Sequence, residues 1–255
     1  PLLDLDGNVV GVNAQILSRT GGYMGLSFSI PIDMTMNIIS QIQTKGKVTR
    51  GWLGVYIQEV TRELAESFGM QKPAGALVAK IIPNSPAANS DIKIGDVILT
   101  FDGKTVENSG ALPPMVGETE IGRTVKLNIL RKKNKKIIKV KIAELKEKEL
   151  TVAKIGDDKT VRELILGMQV RNLTAQDKEK FGVSEDAILV VSISKGAGKR
   201  AGIVAGDVIK MIDGIKMLNV KIFKETVSAL PKGKYVSLLI QRSSNTQFLA
   251  LKKED

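Results

Sequence analysis

Short apolar runs closed at both ends by turn residues recur along this chain. In IKIGDVILTFDGK, Ile92 to Lys104, a Gly-Asp pair opens an apolar strand and an Asp-Gly pair closes it. Asp-Gly suits positions of positive φ, so the strand is bounded on both sides. The pattern returns as IVAGDVIKMIDGI, Ile203 to Ile215, with Gly95-Asp96-Val97-Ile98 matching Gly206-Asp207-Val208-Ile209 at an offset of 111. Leu53-Gly54-Val55 matches Leu166-Gly167-Met168, and Phe68-Gly69 matches Phe181-Gly182, at an offset of 113. VKLNILR from Val125 matches VSLLIQR from Val236, again at 111. The two-residue slip places insertions in loops. About 100 residues is an ordinary domain size, so from near residue 50 the chain reads as two copies of one module.

Each copy carries the same supporting pattern. Thr61 to Gly69 and Thr174 to Gly182 read as short helices with a threonine cap and a closing glycine. Ser85-Pro86-Ala87-Ala88 opens another small helix, and its counterpart, Gly196 to Ala201, lacks the proline. After each Asp-Gly turn comes a longer helix. The first, Ser109 to Gly117, has Leu112, Met115 and Val116 apolar and Pro113-Pro114 in its first turn. The second, Asn219 to Leu230, aligns Ile222, Phe223, Thr226 and Val227. Strands Val125–Leu130 and Ile137–Ile142 flank the basic run Arg131 to Lys136, a solvated hairpin tip. Between the copies, Ala143 to Thr160 is charged and poor in large apolar residues. It reads as a linker, in part strand or helix, and relative motion of the modules is expected. The tail from Lys252 is expected to fray.

Residues 1–48 follow a different pattern. Two apolar runs, Pro1–Leu5 and Val9–Leu17, meet at the turn Asp6-Gly7-Asn8, and Tyr23 to Ile30 reads as a strand. Pro31 opens a helix with Asp33 in its first turn, Met36, Ile38, Ile39 and Ile42 on an apolar face, and Gly46 at its end. Three strands and a helix in this length cannot close a barrel or bury a full core. The segment reads as the end of a larger domain, and a first residue that is proline fits a chain that continues upstream. Asp4 to Asn8 superficially fits the start of a calcium loop, but Gln15 stands where an EF-hand needs its bidentate glutamate.

Composition narrows the chemistry. With 255 residues and 43% apolar residues the chain can build packed cores. It has no cysteine and no histidine, which removes thiolate chemistry and the commonest general base and metal ligand. No run is long enough for a membrane helix. The net charge of +11 is spread over both copies, and no aromatic residue sits beside the basic run to stack a base. Neither a nucleic-acid partner nor a cofactor is expected.

PLLDLDGNVVGVN followed by GLSFSIP resembles the segment after the nucleophile in HtrA/Deg-type (Do-like) serine proteases. In that family the serine lies in Gly-Asn-Ser-Gly-Gly-Pro, followed by a hydrophobic pair and a D-G turn, which Pro1-Leu2-Leu3 and Asp6-Gly7 fit. The resemblance continues through RGWLGV and both copies. It implies a mixed α+β, mostly β architecture: residues 1–48 as the C-terminal remnant of a trypsin-like β-barrel, 49–146 as a first PDZ domain, 147–161 as a linker and 162–255 as a second PDZ domain. It places the catalytic serine before Pro1 and the remaining triad further upstream, so no catalytic residue is expected here and the chain alone should not cleave peptides.

The same resemblance implies the binding residues. Gly25, Leu26 and Ser27 would pair with substrate backbone and line the primary specificity pocket. In PDZ domains a Φ-Gly-Φ loop captures a peptide carboxylate on backbone N–H groups, and the edge strand after it adds the peptide. The first site would use Arg50, Trp52, Leu53, Gly54 and Val55, with Leu112, Met115 and Val116 opposite. The second would use Leu166, Gly167 and Met168, with Ile222, Phe223 and Thr226. Implied partners are misfolded proteins and peptide C-termini in the periplasm, with trimer-based assembly of the full-length parent. A stand-alone, non-catalytic tandem-PDZ adaptor remains the alternative.

Overall fold

The computed structural model describes residues 1–17, 22–145 and 163–253. Its first unit is a three-stranded antiparallel sheet, β1 (Leu2–Leu3), β2 (Val9–Ile16) and β3 (Ser27–Pro31), in that order. The Asp4 carboxylate shapes the first turn: it accepts the Asp6 and Asn8 amides at 3.0 and 2.8 Å and the Asn8 side chain at 3.0 Å. Helix α1 (Ile32–Lys45) follows Pro31, carries Asp33 in its first turn and ends at Gly46 in the left-handed region. The strand expected from Tyr23 begins only at Ser27. The described residues form no closed barrel here, and Leu26, Phe28, Met36 and Ile42 stay exposed.

The first module comprises β4 (Gly51–Trp52), β5 (Val55–Glu59), α2 (Arg62–Ser67), β6 (Ala76–Ile81), β7 (Val97–Phe101), β8 (Lys104–Thr105), α3 (Leu112–Gly117), β9 (Thr124–Arg131), β10 (Asn134–Lys141) and β11 (Ala143–Glu144). The sheet order is β10-β9-β7-β6-β5, with β8 on β7 and a separate pair β4–β11. Thr61 caps α2 through the Leu64 amide, as its position before an apolar helix face implies. The helix expected from Ser109 divides into a tighter turn, Ser109–Ala111, capped by Asn108, and α3, whose prolines sit in its first turn. The helix expected at Ser85 is instead a run of turns, because the Ser85 hydroxyl and the Ala87 amide are engaged by Gly54 and Leu53. The start of the supposed linker, Ala143 to Leu145, belongs to this module as β11 and a bond from the Leu145 amide to the Arg50 carbonyl. The rest of the expected linker, residues 147–161, lies outside the described residues.

The second module comprises β12 (Glu163–Ile165), β13 (Met168–Asn172), α4 (Ala175–Phe181), β14 (Ile188–Ile193), α5 (Ala197–Arg200), β15 (Val208–Ile212), β16 (Ile215–Lys216), α6 (Val220–Ala229), β17 (Tyr235–Arg242) and β18 (Asn245–Lys252). Its sheet repeats the first module's order and adds a strand at the edge: β12-β13-β14-β15-β17-β18, with β16 on β15. Thr174 and Asp177 form a reciprocal capping box on α4, and Asn219 caps α6.

Each module buries its own core, centred on Leu112, Leu127 and Ile129 in the first and on Phe223, Leu238 and Ile240 in the second. A third cluster crosses between them. Val60, Leu64, Leu77, Ala79, Val97 and Leu130 of the first module pack with Leu239 and Phe248 of the second. Phe68 meets Phe248 edge to face at 5.9 Å. The Gln58 side chain donates to the Phe248 carbonyl at 3.1 Å and accepts its amide at 2.6 Å. The expectation of freely moving modules is corrected by this contact, because separating them would expose an apolar cluster and break a paired amide.

Candidate peptide-binding grooves

The loop between β4 and β5 is held from behind. The Leu53 carbonyl accepts the Ala87 amide at 2.9 Å, and the Gly54 carbonyl accepts the Ile82 amide at 2.9 Å and the Ser85 hydroxyl at 3.3 Å. No peptide bond here is cis. In a trans peptide N–H and C=O point in opposite directions. The amides of Gly54 and Val55 are therefore aimed the other way, into the cleft. Gly54 has φ +81°, and a Cβ there would lie 2.1 Å from Ser85 Cβ, so glycine is required on two counts.

The cleft holds about 290 Å³. Of the residues predicted for the first site, Arg50, Trp52, Leu53, Gly54, Val55, Leu112 and Val116 line it. Met115 does not; it is half-buried against the core. Gly51, Ile57, Pro113, Gly117 and Leu145 complete the lining. Ile57 was legible from its period-two relation to Val55. Leu145 was not, since it falls in a charged stretch. Strand β5 ends the sheet, and among the described residues its outer edge, facing α3, pairs with no strand.

Behind the groove an ion pair locks the sheet. Asp96 is fully buried and accepts from Arg131 at 2.7 and 2.8 Å and from the Lys93 amide at 2.8 Å. Arg131 also bonds Asp91 at 3.0 Å. Bonding to Asp96 raises the guanidinium pKa above its ordinary value against the opposing effect of burial. So the first residue of the basic run is a structural clamp, and only Lys132 onward forms the hairpin tip. Arg242 and buried Asp207 repeat the pair at 2.8 and 2.8 Å. The signal was present: both partners recur at an offset of 111.

The second loop is anchored in the same way. The Leu166 carbonyl accepts the Gly198 amide at 3.0 Å and the Gly167 carbonyl accepts the Ser194 amide at 2.7 Å. A Cβ on Gly167 would lie 2.7 Å from the Lys195 carbonyl oxygen. Here, however, Leu166 and Gly167 both have positive φ, 55° and 81°, and the chain before them doubles back along β13. Met168, Phe223 and Thr226 are buried, while Leu166 and Ile222 are half-buried against the same core.

In the first unit, Gly25 has φ +89° with open space around it, and Leu26 and Ser27 are exposed where β3 begins. The Leu26 carbonyl accepts the Leu17 amide at 3.0 Å, and β3 is the edge of its sheet. Among the described residues there is no cluster of groups suited to a metal ion, and no helix is long and apolar enough to cross a membrane.

The PDZ domain family matches residues 35–142, from within α1 to the end of the first module's sheet. A probable periplasmic serine endoprotease, DegP-like, of Hahella chejuensis is 40% identical over 253 residues, covering 99% of this chain and 54% of that protein. Its counterpart in Pseudomonas putida (strain GB-1) is 38% identical over 253 residues, covering 99% and 53%. A solved structure of the HtrA-type protease AlgW with a tripeptide aligns with a TM-score of 0.51 and 34% identity, covering 57% of this chain and 48% of that one. The chain spans about half the length of the curated relatives it matches. Over nearly its whole length, it is homologous to HtrA/DegP-like periplasmic serine endoproteases.

Proposed function

We propose that this chain is the substrate-gripping part of a Do-like serine endopeptidase of envelope protein quality control, working in the periplasm. In this reading residues 1–48 complete a trypsin-like domain, with Gly25 to Ser27 as the edge that meets the scissile segment. Residues 49–146 and 162–255 are two PDZ domains. The first accepts the C-terminus or an exposed apolar strand of a misfolded protein. Its carboxylate meets the Gly54 and Val55 amides beside Arg50, its backbone extends the sheet at β5, and its side chains enter the cleft between Val55 and Ile57 and Leu112 and Val116. Holding substrate this way raises its effective concentration at a protease centre. The hydrolytic groups belong to sequence upstream of Pro1, and assembly into trimers belongs to the same complete protein.

The observation that carries the reading is the pair of successive amides turned into an apolar cleft beside an unpaired strand edge. A fluorescein-labelled decapeptide ending in three valines tests it by anisotropy. Hydrogen bonds to a charged group contribute about 1.5–3 kcal/mol, so amidating the C-terminus should weaken binding at least about tenfold. Equal affinity for acid and amide would remove carboxylate capture. A second reading is a stand-alone, non-catalytic tandem adaptor, in which the two grooves act without a protease centre. The coding sequence in frame before Pro1 separates the two: a nucleophile motif supports the endopeptidase, and a stop codon supports the adaptor.

A further inference from the structure

We infer that β12 is a resident ligand of the second groove, which takes an external extended peptide only by exchanging this strand. The inference rests on the peptide-binding reading of the first groove. Strand β12 runs antiparallel along β13 in the register Glu163–Val170, Leu164–Gln169 and Ile165–Met168. It lies on the edge homologous to the open edge of β5, where an added peptide strand would lie. Ile165 and Met168 close a two-residue turn whose central residues both have positive φ, the type I′ signature. The closing pair of such a hairpin exchanges main-chain hydrogen bonds. The Met168 amide, counterpart of the carboxylate-facing Val55 amide, is thereby engaged by the chain itself. Ile165 and Leu166 pack partly buried against the same core that Val220 and Ile222 of α6 pack against, so apolar side chains as well as the backbone edge are engaged.

The first module explains why only the second is closed. There the homologous strand, β4, is drawn away from the groove by pairing with β11, Ala143 with Trp52 and Glu144 with Gly51. Among the described residues no strand after β18 performs this service for β12; Lys253 bridges to Lys232 instead. Without a partner on the far side, β12 satisfies its backbone on the nearest free edge, which is the groove. The described part of the plug is three residues, Glu163–Ile165.

The chain has no cysteine, which allows a reversible lock. Leu164 and Gln169 are directly opposite between two hydrogen-bonded pairs, where Cα atoms approach to about 4.5 Å, within disulfide range. In the whole chain carrying Leu164→Cys and Gln169→Cys, the same Val-Val-Val decapeptide is titrated while backbone amide resonances are followed. The expected result is a shift of Gly167 to Val170 in the reduced protein and none in the oxidised one. A second variant, Glu163→Pro, removes a pairing N–H from the plug and should strengthen binding at this site at least about tenfold, as the competent fraction rises. Equal shifts in the oxidised and reduced forms would overturn the inference, as would a folded Glu163→Pro variant that binds no better than the parent. Resonances of Gly54 to Gln58 report the first groove in the same titration. Their silence would instead overturn the proposed function.

Discussion

The two modules share a strand order and an Arg–Asp clamp, and they diverge wherever each meets something else. On the back of the first sheet stand Gln58, Leu64, Leu99 and Leu130; their counterparts in the second are Arg171, Asp177, Lys210 and Gln241. On the outer face of the second stand Met211, Leu239, Phe248 and Ala250; their counterparts in the first are Thr100, Asn128, Ile137 and Lys139. At these positions each face is more apolar in the module that uses it for docking, although the second module keeps a smaller apolar cluster of Ala187, Leu189, Val208, Leu173 and Phe181 on its own unused face. Where it is not used, polar groups satisfy one another: Arg171 pairs with Asp177, Lys210 with Gln241 at 3.3 Å, and Asn128 with Thr100 at 2.6 Å. Duplication copied the core and left the faces free to specialise. The contact is directional as a result, since two first modules or two second modules would oppose polar against apolar.

The largest effect should come from the feature the modules share. Removing one partner of a buried ion pair costs about 3–5 kcal/mol, because the other charge is left without compensation. Arg131→Ala strands fully buried Asp96 and should reach that range in denaturant unfolding. Arg242 is 39% exposed in its side chain against 12% for Arg131, so water can reach the vacated site more readily. Arg242→Ala should therefore cost less, about 2 kcal/mol. Equal costs would mean that the clamps are energetically identical despite their different exposure.

The next effect tests the divergence itself. Gln58→Arg together with Leu64→Asp transplants the second module's ion pair onto the first module's docking face. The first module should stay folded, since the pair is complete, while the apolar cluster loses Leu64 and the Phe248 backbone loses its partner. A loss of about 3 kcal/mol of contact energy is expected from deleting a buried leucine contact and paired hydrogen bonds. Calorimetry should then resolve two transitions, and small-angle scattering should show a larger radius of gyration. A single transition with unchanged dimensions would show that docking does not depend on these positions.

The repeat, the turns, the α1 boundaries and most of the first groove were legible because each is local: an Asp-Gly turn, a cap, or a glycine with no room for a Cβ. What was missed is non-local. Leu145 joins the groove only because β11 returns to β4, and nothing in a charged stretch announces that return. The plugged second groove depends on whether a strand exists elsewhere to hold β12, which the matched Leu-Gly pairs do not encode. The docking faces lay open to a position-by-position reading of the two copies, because Leu64 against Asp177 and Leu130 against Gln241 are changes of kind. That residues 1–48 could not bury a full core followed from three strands and a helix in so short a length, although the exposure of Leu26 and Phe28 did not.

Acid should separate the modules. Hydrogen bonds from Arg171, supported by Thr174, hold the Asp177 carboxyl down at about 2 from its ordinary 3.8, against a raising effect of burial. A carboxylate with a lowered folded pKa contributes stability in full above its unfolded pKa and loses it as pH falls through the folded one. The window is thus from about pH 4 down to about pH 2, and the difference corresponds to about 2 kcal/mol. The first module has Leu64 at this position and lacks the group. Far-ultraviolet and amide-resonance titrations should show the second module weakening first on acidification. In Asp177→Asn this part of the pH dependence should vanish.

The smallest effect is the most diagnostic of how docking and peptide binding are related. Gln58 lies on β5, the strand whose Val55 and Ile57 face the cleft, and its side chain leaves the opposite face to clasp Phe248. Gln58→Ala removes two neutral hydrogen bonds at a contact otherwise held by apolar packing, a net cost of about 1 kcal/mol. If docking only adds surface burial, decapeptide affinity for the first groove should not change. If the clasp also fixes the path of β5, the strand gains freedom that a ligand must remove, and affinity should fall about two- to fivefold with no loss of cleft residues. Linkage makes the reverse measurable: saturating peptide should then raise the undocking temperature of the parent more than that of Gln58→Ala. Affinity and undocking must move together or not at all, and a change in only one would place the effect in altered packing around Phe248 rather than in the strand.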